Sequence, residues 1–175
     1  MNKPPERIRV TKLQEAQVNP VVVVDAACKE AMHRAGVPAA DCPARGLGGI
    51  VKLTKLHNVL VADADGVVVG YAAWRDESPG VAYLEDMAVS PQHQRTGVGR
   101  HLLDAVRAEA RAVPLPVLVT RCWTQAASAR AFLAKAGLVP AGDQAGERFK
   151  MWREEQEAGG ALVKEGQVVL VQALA

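Results

Sequence analysis

The chain has 175 residues, enough for one domain with its own apolar core, and 49% of them are hydrophobic against 23% charged. That balance is the one of an ordinary soluble globular protein, and a formal net charge of +2 is too small for nucleic acid to be the main partner. The opening MNKPPERIRV lacks the long apolar core of a secretory leader, and the longest aliphatic run, Val21–Val24, is far too short to cross a bilayer, so no membrane association is expected.

Arg7–Leu13 alternates loosely and reads as a first strand. Val21–Arg34 interleaves Asp25, Lys29 and Glu30 with Val22, Ala26 and Met32, which predicts a helix closed by Gly36. Cys28, Cys42 and Cys122 are odd in number and form no C-x-x-C pair, so they are expected as single buried thiols in a reducing cytoplasm. Ala44–His57 reads as a second helix, weakened by Gly46, Gly48 and Gly49. His33, His57, His93 and His101 show no metal-ligand spacing, no metal is expected, and His57 reads as a solvated surface residue.

Asn58–Ala62 and Val67–Trp74 are β-branched runs separated by Asp63-Ala64-Asp65-Gly66, a hairpin signal because Asp-Gly takes left-handed dihedrals readily. Val81–Val89 is a fourth strand. From Gly97 the period changes, and Val98, Leu102, Leu103, Val106 and Ala110 fall on one face of a helix that Pro114 and Pro116 end. Val117–Trp123 is a fifth strand, Ala126–Ala136 a helix stopped by Gly137, and Phe149–Trp152 a further strand. The last stretch, 154–175, reads as two short strands joined at Glu165-Gly166, or as one strand paired with a neighbouring subunit in a homodimer. The order β-α-α-β-β-β-α-β-α-β is an α+β layout around a mixed sheet, with 1–153 as the domain and 154–175 as an extension of it.

The segment QRTGVG, Gln94–Gly99, lies between the fourth strand and the helix that follows. The first turn of a helix leaves backbone N–H groups without partners, and the helix dipole adds partial positive charge there. Glycine lets a ligand approach that backbone, so a diphosphate is the natural occupant, and Arg95 and Arg100 can meet further phosphate oxygens. A P-loop is excluded because no Lys-Ser/Thr follows, and a Rossmann turn is excluded because Leu102 stands where its third glycine belongs.

The fourth strand carries YLEDMAV. Strict alternation puts Tyr83, Glu85, Met87 and Val89 on one face and Leu84, Asp86 and Ala88 on the other. Two adjacent carboxylates in a central strand are costly unless paired or wet, and a β-bulge can turn both toward one cleft. A carboxylate there can take a proton from an alkylamine, whose pKa is about 10.4. Glu85 is the first choice for that base and Asp86 the second; an ion pair with Arg121 or Arg148 is the alternative role.

Gln94–Gly99, in its strand-turn-helix setting, resembles the R/Q-x-x-G-x-G/A signature of the GNAT N-acetyltransferase superfamily, and the order of elements from Arg7 to Trp152 resembles that family too. The resemblance implies a single-domain GNAT fold and acetyl-CoA as donor. It implies that the backbone of Met87, Ala88 and Val89 pairs with the pantetheine arm in the gap between the splayed fourth and fifth strands. It also implies that Gln94, Arg95, Thr96, Gly97, Val98, Gly99 and Arg100 hold the pyrophosphate. YLED looks like the diamine and polyamine acetyltransferases, which points to a primary amine on a small cationic molecule.

The family pattern N-x-x-A-x-x-F-Y-x-x-x-G-F departs here. Its asparagine is Ala126, or is replaced in role by Ser128, and its tyrosine is Leu133. That tyrosine protonates the departing thiolate in the family, and leucine cannot. Tyr83, Cys122 or water are the substitutes to weigh; for Tyr83 and Cys122 core packing is the competing role. Direct acetyl transfer is therefore the leading expectation. A CoA-binding sensor with little turnover and a protein or peptide N-acetyltransferase are the alternatives.

Overall fold

Asp65 and Gly66 both take left-handed dihedrals, with φ of 54° and 89°, as a two-residue type I′ turn demands. They fold Asn58–Ala64 (β2) back onto Val67–Glu77 (β3). This hairpin is the centre of an antiparallel meander in which Ile8–Lys12 (β1) flanks β2 and Val81–Val89 (β4) flanks β3. The computed structural model describes residues 7–77, 79–142, 145–160 and 164–174.

The helix Val98–Ala112 (α3) then crosses over to Val117–Trp123 (β5), which pairs parallel with β4. Gln167–Ala173 (β7) runs antiparallel along the whole of β5, and Val139–Pro140 (β6) closes the far edge. The result is one seven-stranded mixed sheet in the order β1-β2-β3-β4-β5-β7-β6.

Helices cover both faces. Val18–Arg34 (α1) and Leu47–Leu56 (α2) bury Val21, Val24, Ile50 and Leu53 against Val61, Tyr71 and Ala73. On the opposite face α3 and Ala127–Lys135 (α4) bury Leu102, Leu103, Val106 and Leu133 against Ala72, Trp74, Leu84 and Leu118. Gly70 sets the closeness of α3: a Cβ there would lie 2.9 Å from the Ala88 carbonyl and 3.1 Å from Leu102. Among the described residues no helix is long and apolar enough to cross a membrane.

Phe149–Trp152 differs from the expected strand. It is part of a helix, Gly146–Ala158 (α5). A strand would put Phe149 and Met151 on one face, yet Phe149 is 2% exposed and Met151 42%. Helical spacing brings Phe149 beside Trp152 instead, with ring centroids 5.7 Å apart, and Trp152 stacks on Tyr83 at 5.8 Å. The C-terminal stretch supplies one strand, β7, to the sheet of its own chain, with Gly166 at φ 83° in the turn before it. The other expected short strand, before Glu165-Gly166, falls on a stretch that includes 161–163, outside the described residues.

Candidate active site

β4 and β5 pair only from Val81↔Val117 to Leu84↔Thr120 and then part. The Thr120 hydroxyl donates to the Leu84 carbonyl at 2.9 Å and ties off the last rung. Beyond it opens a cleft of about 380 Å³, with Glu85, Asp86 and Met87 on one wall, Arg121 and Cys122 on the other, and Leu133 of α4 across its floor. A β-bulge governs what β4 presents there. Ala73 opposes Asp86 and Trp74 opposes Leu84, so Glu85 is the extra residue. Strict alternation is broken at that point: Leu84, Met87 and Val89 pack on the α3 side, while Ala88 packs with Tyr71 on the α1 side. Glu85 and Asp86 therefore share the α1–α2 face.

They have different surroundings. Asp86 accepts from Lys29 Nζ at 2.9 Å and from Arg45 Nη1, and lies 2.9 Å from the Tyr71 hydroxyl. Behind it Asp25 accepts from Tyr71 at 2.6 Å and from the Arg45 backbone N–H at 2.6 Å. Two carboxylates and two cations thus neutralise each other where Asp25 is fully buried and Lys29 is 6% exposed. Burial opposes the charge on Asp86, but Lys29 and Arg45 outweigh it and bring the carboxyl down to about 2. Burial, with Asp86 and Asp25, pushes the Tyr71 phenol well up.

Glu85 has looser neighbours. Its Oε2 is 3.8 Å from both His57 Nε2 and Arg75 Nη1, and its side chain is 26% exposed. Arg75 Nη1 donates to His57 Nε2 at 3.0 Å, and Arg75 is itself held by Glu77, which also accepts from Trp152 Nε1. His57 Nδ1, 3.2 Å from the Leu53 carbonyl, is then the protonated nitrogen of a neutral ring. Burial lowers the His57 pKa, and Arg75 adds to that against the Leu53 carbonyl and Glu85. The expectation of a solvated His57 is corrected: its side chain is 5% exposed and faces Glu85.

Tyr83 sits on the same wall, buried, accepting from Arg121 Nε at 2.5 Å, with the Arg75 and Arg121 guanidinium carbons 5.3 and 5.2 Å from its ring centroid. Burial pushes its phenol up to about 12 despite Arg121. Burial also raises the Cys122 thiol, so both groups hold their protons at neutral pH.

The glycine turn has the backbone a ligand loop needs. Arg95 and Gly97 take left-handed φ of 65° and 96°, and Gly97 is the N-cap of α3 with no side-chain cap. The first-turn N–H groups of Val98, Gly99 and Arg100 have no carbonyl within the helix to accept them. A Cβ at Gly99 would lie 3.3 Å from Phe132 of α4 and 3.7 Å from Val89, so its bareness keeps the end of β4, the start of α3 and α4 in contact. Gln94 closes the turn by donating to the Val89 carbonyl at 3.3 Å, and Thr96 by donating to His93 at 2.7 Å. Arg100 pairs with Asp104 at 3.2 Å on the exposed side of α3. Ser128 is exposed on the first turn of α4 and does not line the cleft.

The residues missed from sequence are Asp25, Lys29, Arg45 and Tyr71. A signal existed: Val21, Val24, Asp25, Cys28 and Lys29 are the buried stripe of α1, so two of its charges fall at core positions. Among the described residues no cluster of His, Cys, Asp or Glu has metal-holding geometry.

A model of the acetyltransferase (GNAT) family matches residues 26–138. Mycothiol acetyltransferase of Thermobifida fusca (strain YX) is 38% identical over 97 residues, which are 54% of this chain and 27% of that protein. The chain therefore spans about a quarter of the length of that curated relative. The PaiA N-acetyltransferase of Thermoplasma acidophilum, solved in complex with coenzyme A, superposes with a TM-score of 0.72 at 12% identity, over 95% of this chain and 99% of that one. A GNAT-family acetyltransferase of Staphylococcus aureus Mu50 gives 0.72 at 13%, over 97% of this chain and 100% of that one. At these identities the likeness to the solved structures is one of fold.

Proposed function

Since the chain belongs to the GNAT acetyltransferase family, we propose that it transfers acetyl from acetyl-CoA to the primary amine of a small molecule by direct attack. The observation that carries this reading is the parting of β4 and β5 after Leu84 and Thr120, with Glu85 bulged into the gap. Acetyl-CoA supplies the activated thioester. The chain's backbone from Gln94 to Arg100 holds the diphosphate, by its uncapped helix start and its bare glycines. The β4 backbone of Met87–Val89, which has no β5 partner, binds the pantetheine arm and polarises the thioester carbonyl.

Glu85 attracts the ammonium form of the acceptor and takes its proton, directly or through water. Asp86 serves another end. With its pKa near 2 and its oxygens given to Lys29 and Arg45, it is a weak base and instead holds the wall on which Glu85 stands. Tyr83 is buried with its oxygen accepting from Arg121 Nε, and its phenol, at about 12, gives up a proton less readily than an ordinary tyrosine near 10. The thiolate therefore leaves largely unassisted and takes its proton from water. The three buried free thiols suit a reducing compartment such as the cytoplasm.

The test is acetyl-CoA consumption, followed by loss of thioester absorbance across small amines, amino acids and peptides. Saturable, Glu85-dependent turnover is expected. Acetyl-CoA binding without turnover on any acceptor would make the protein a CoA-binding domain instead.

A further inference from the structure

Glu85-Asp86 looks like a dicarboxylate that would receive two positive charges. The structure splits the pair. Asp86 is spent on Lys29 and Arg45, and Asp41, the other acidic residue lining the cleft, stands 3.7 Å from Lys164 Nζ. Among the described residues that line the cleft, Glu85 is the carboxylate left to meet an ammonium, and it already has Arg75 at 3.8 Å.

The opposite charge is in better supply. Arg45 lines the same cleft, with its side chain 25% exposed. Its backbone N–H and Nη1 are used by Asp25 and Asp86, and its Nε and Nη2 have no hydrogen-bond partner among the described residues. A guanidinium fixed at one nitrogen by a buried cluster, with its other donors unused, is preorganised to receive a planar anion. Gln167 and Lys164 line the same mouth and add further N–H donors.

We infer that the acceptor is an amino-carboxylate, an amine held at Glu85 whose carboxylate meets Arg45, and not a diamine or polyamine. The inference rests on the acetyl-transfer reading of this cleft for its amine end, and on Arg45 for its anionic end. A second ammonium in the position of the carboxylate would face Arg45, with no free acid beside it among the described residues. Acetylation itself leaves the carboxylate untouched: the amine nitrogen forms the amide bond, the thioester C–S bond breaks, CoA leaves as a thiolate that takes a proton from water, and the amine proton goes to Glu85.

The experiment compares the common amino acids with their carboxamides, with the amines left on decarboxylation, and with linear diamines. Calorimetry with the CoA-bound protein and kcat/KM for acetyl-CoA consumption are both measured. A carboxylate-bearing acceptor is expected to exceed its own carboxamide by roughly 10- to 100-fold, the usual range for hydrogen bonds to a charged group. Arg45→Lys keeps a cation beside Asp86 but loses the fork, and is expected to remove most of that preference by raising KM, with acetyl-CoA affinity intact. Carboxamides or diamines that bind and react as well as the amino acids would overturn the inference. Discrimination in binding with no turnover would uphold the anion site and overturn the transfer reading instead.

Discussion

Lys29 Nζ and Asp86 Oδ2 stand 2.9 Å apart and join the buried stripe of α1 to the strand that carries Glu85. Arg45 completes the contact from the α1–α2 connection, so charge as well as apolar packing holds the wall of the cleft.

Breaking that cluster from one side is expected to destabilise the fold. Asp86→Asn leaves Lys29 and Arg45 facing a neutral amide, and one-sided removal of a buried pair costs about 3–5 kcal/mol. Urea denaturation checks it. Adding Lys29→Met to Asp86→Asn is expected to recover part of the loss, since the stranded cation goes too. With Lys29→Met alone the cycle closes, and losses that simply add would mean that the two residues do not interact.

Stability is also expected to fall in acid through Asp86. Its carboxyl lies at about 2 when folded, below the ordinary 3.8, so its contribution is complete above about pH 4 and is lost as pH falls through 2. The shift corresponds to about 2 kcal/mol. The difference in unfolding free energy between the native chain and Asp86→Asn, followed from pH 6 to pH 2, is expected to narrow by that amount.

Glu85→Gln is expected to lower kcat by about 10²–10⁴-fold and leave acetyl-CoA binding intact. The deficit is expected to shrink as pH rises toward about 10.4, where free amine forms without a base. A pH–rate profile of both proteins decides it, and a deficit constant with pH would give Glu85 a purely structural role.

Gly97→Ala is expected to weaken acetyl-CoA binding more than global stability. Its φ of 96° costs a residue with a Cβ about 1–2 kcal/mol, and the relaxation that relieves it turns the first-turn N–H groups away from the ligand. Calorimetry with CoA, beside a melting curve, separates the two effects.

Leu133→Tyr puts a phenol on the cleft-lining residue of α4 at which the family resemblance expects the acid. Turnover is expected to rise by about tenfold, with Leu133→Phe as a control of similar size. The gain is below the usual 10²–10⁴ for acid catalysis because a thiolate is already a fair leaving group. An equal effect of Phe and Tyr would assign any change to packing.

Local sequence determined much of this protein. The Asp65-Gly66 hairpin, the amphipathic α3 and the loop from Gln94 to Gly99 are written in neighbouring residues, because turn dihedrals, helical periodicity and uncapped N–H groups are local properties. Phe149–Trp152 was not legible as a helix, since four residues hold one helical turn or two strand periods equally well, and burial against Tyr83 decides between them. The roles of Glu85 and Asp86 belong to tertiary structure alone. They are adjacent in sequence and chemically alike, and only the bulge opposite Ala73 and Trp74 turns both to one face. Only the arrival of Lys29 and Arg45, distant in the chain, neutralises one carboxylate, while the other stays partly exposed in the cleft. Electrostatic environment acts through space at a few ångströms, and the sequence does not carry those distances until the sheet and α1 have packed.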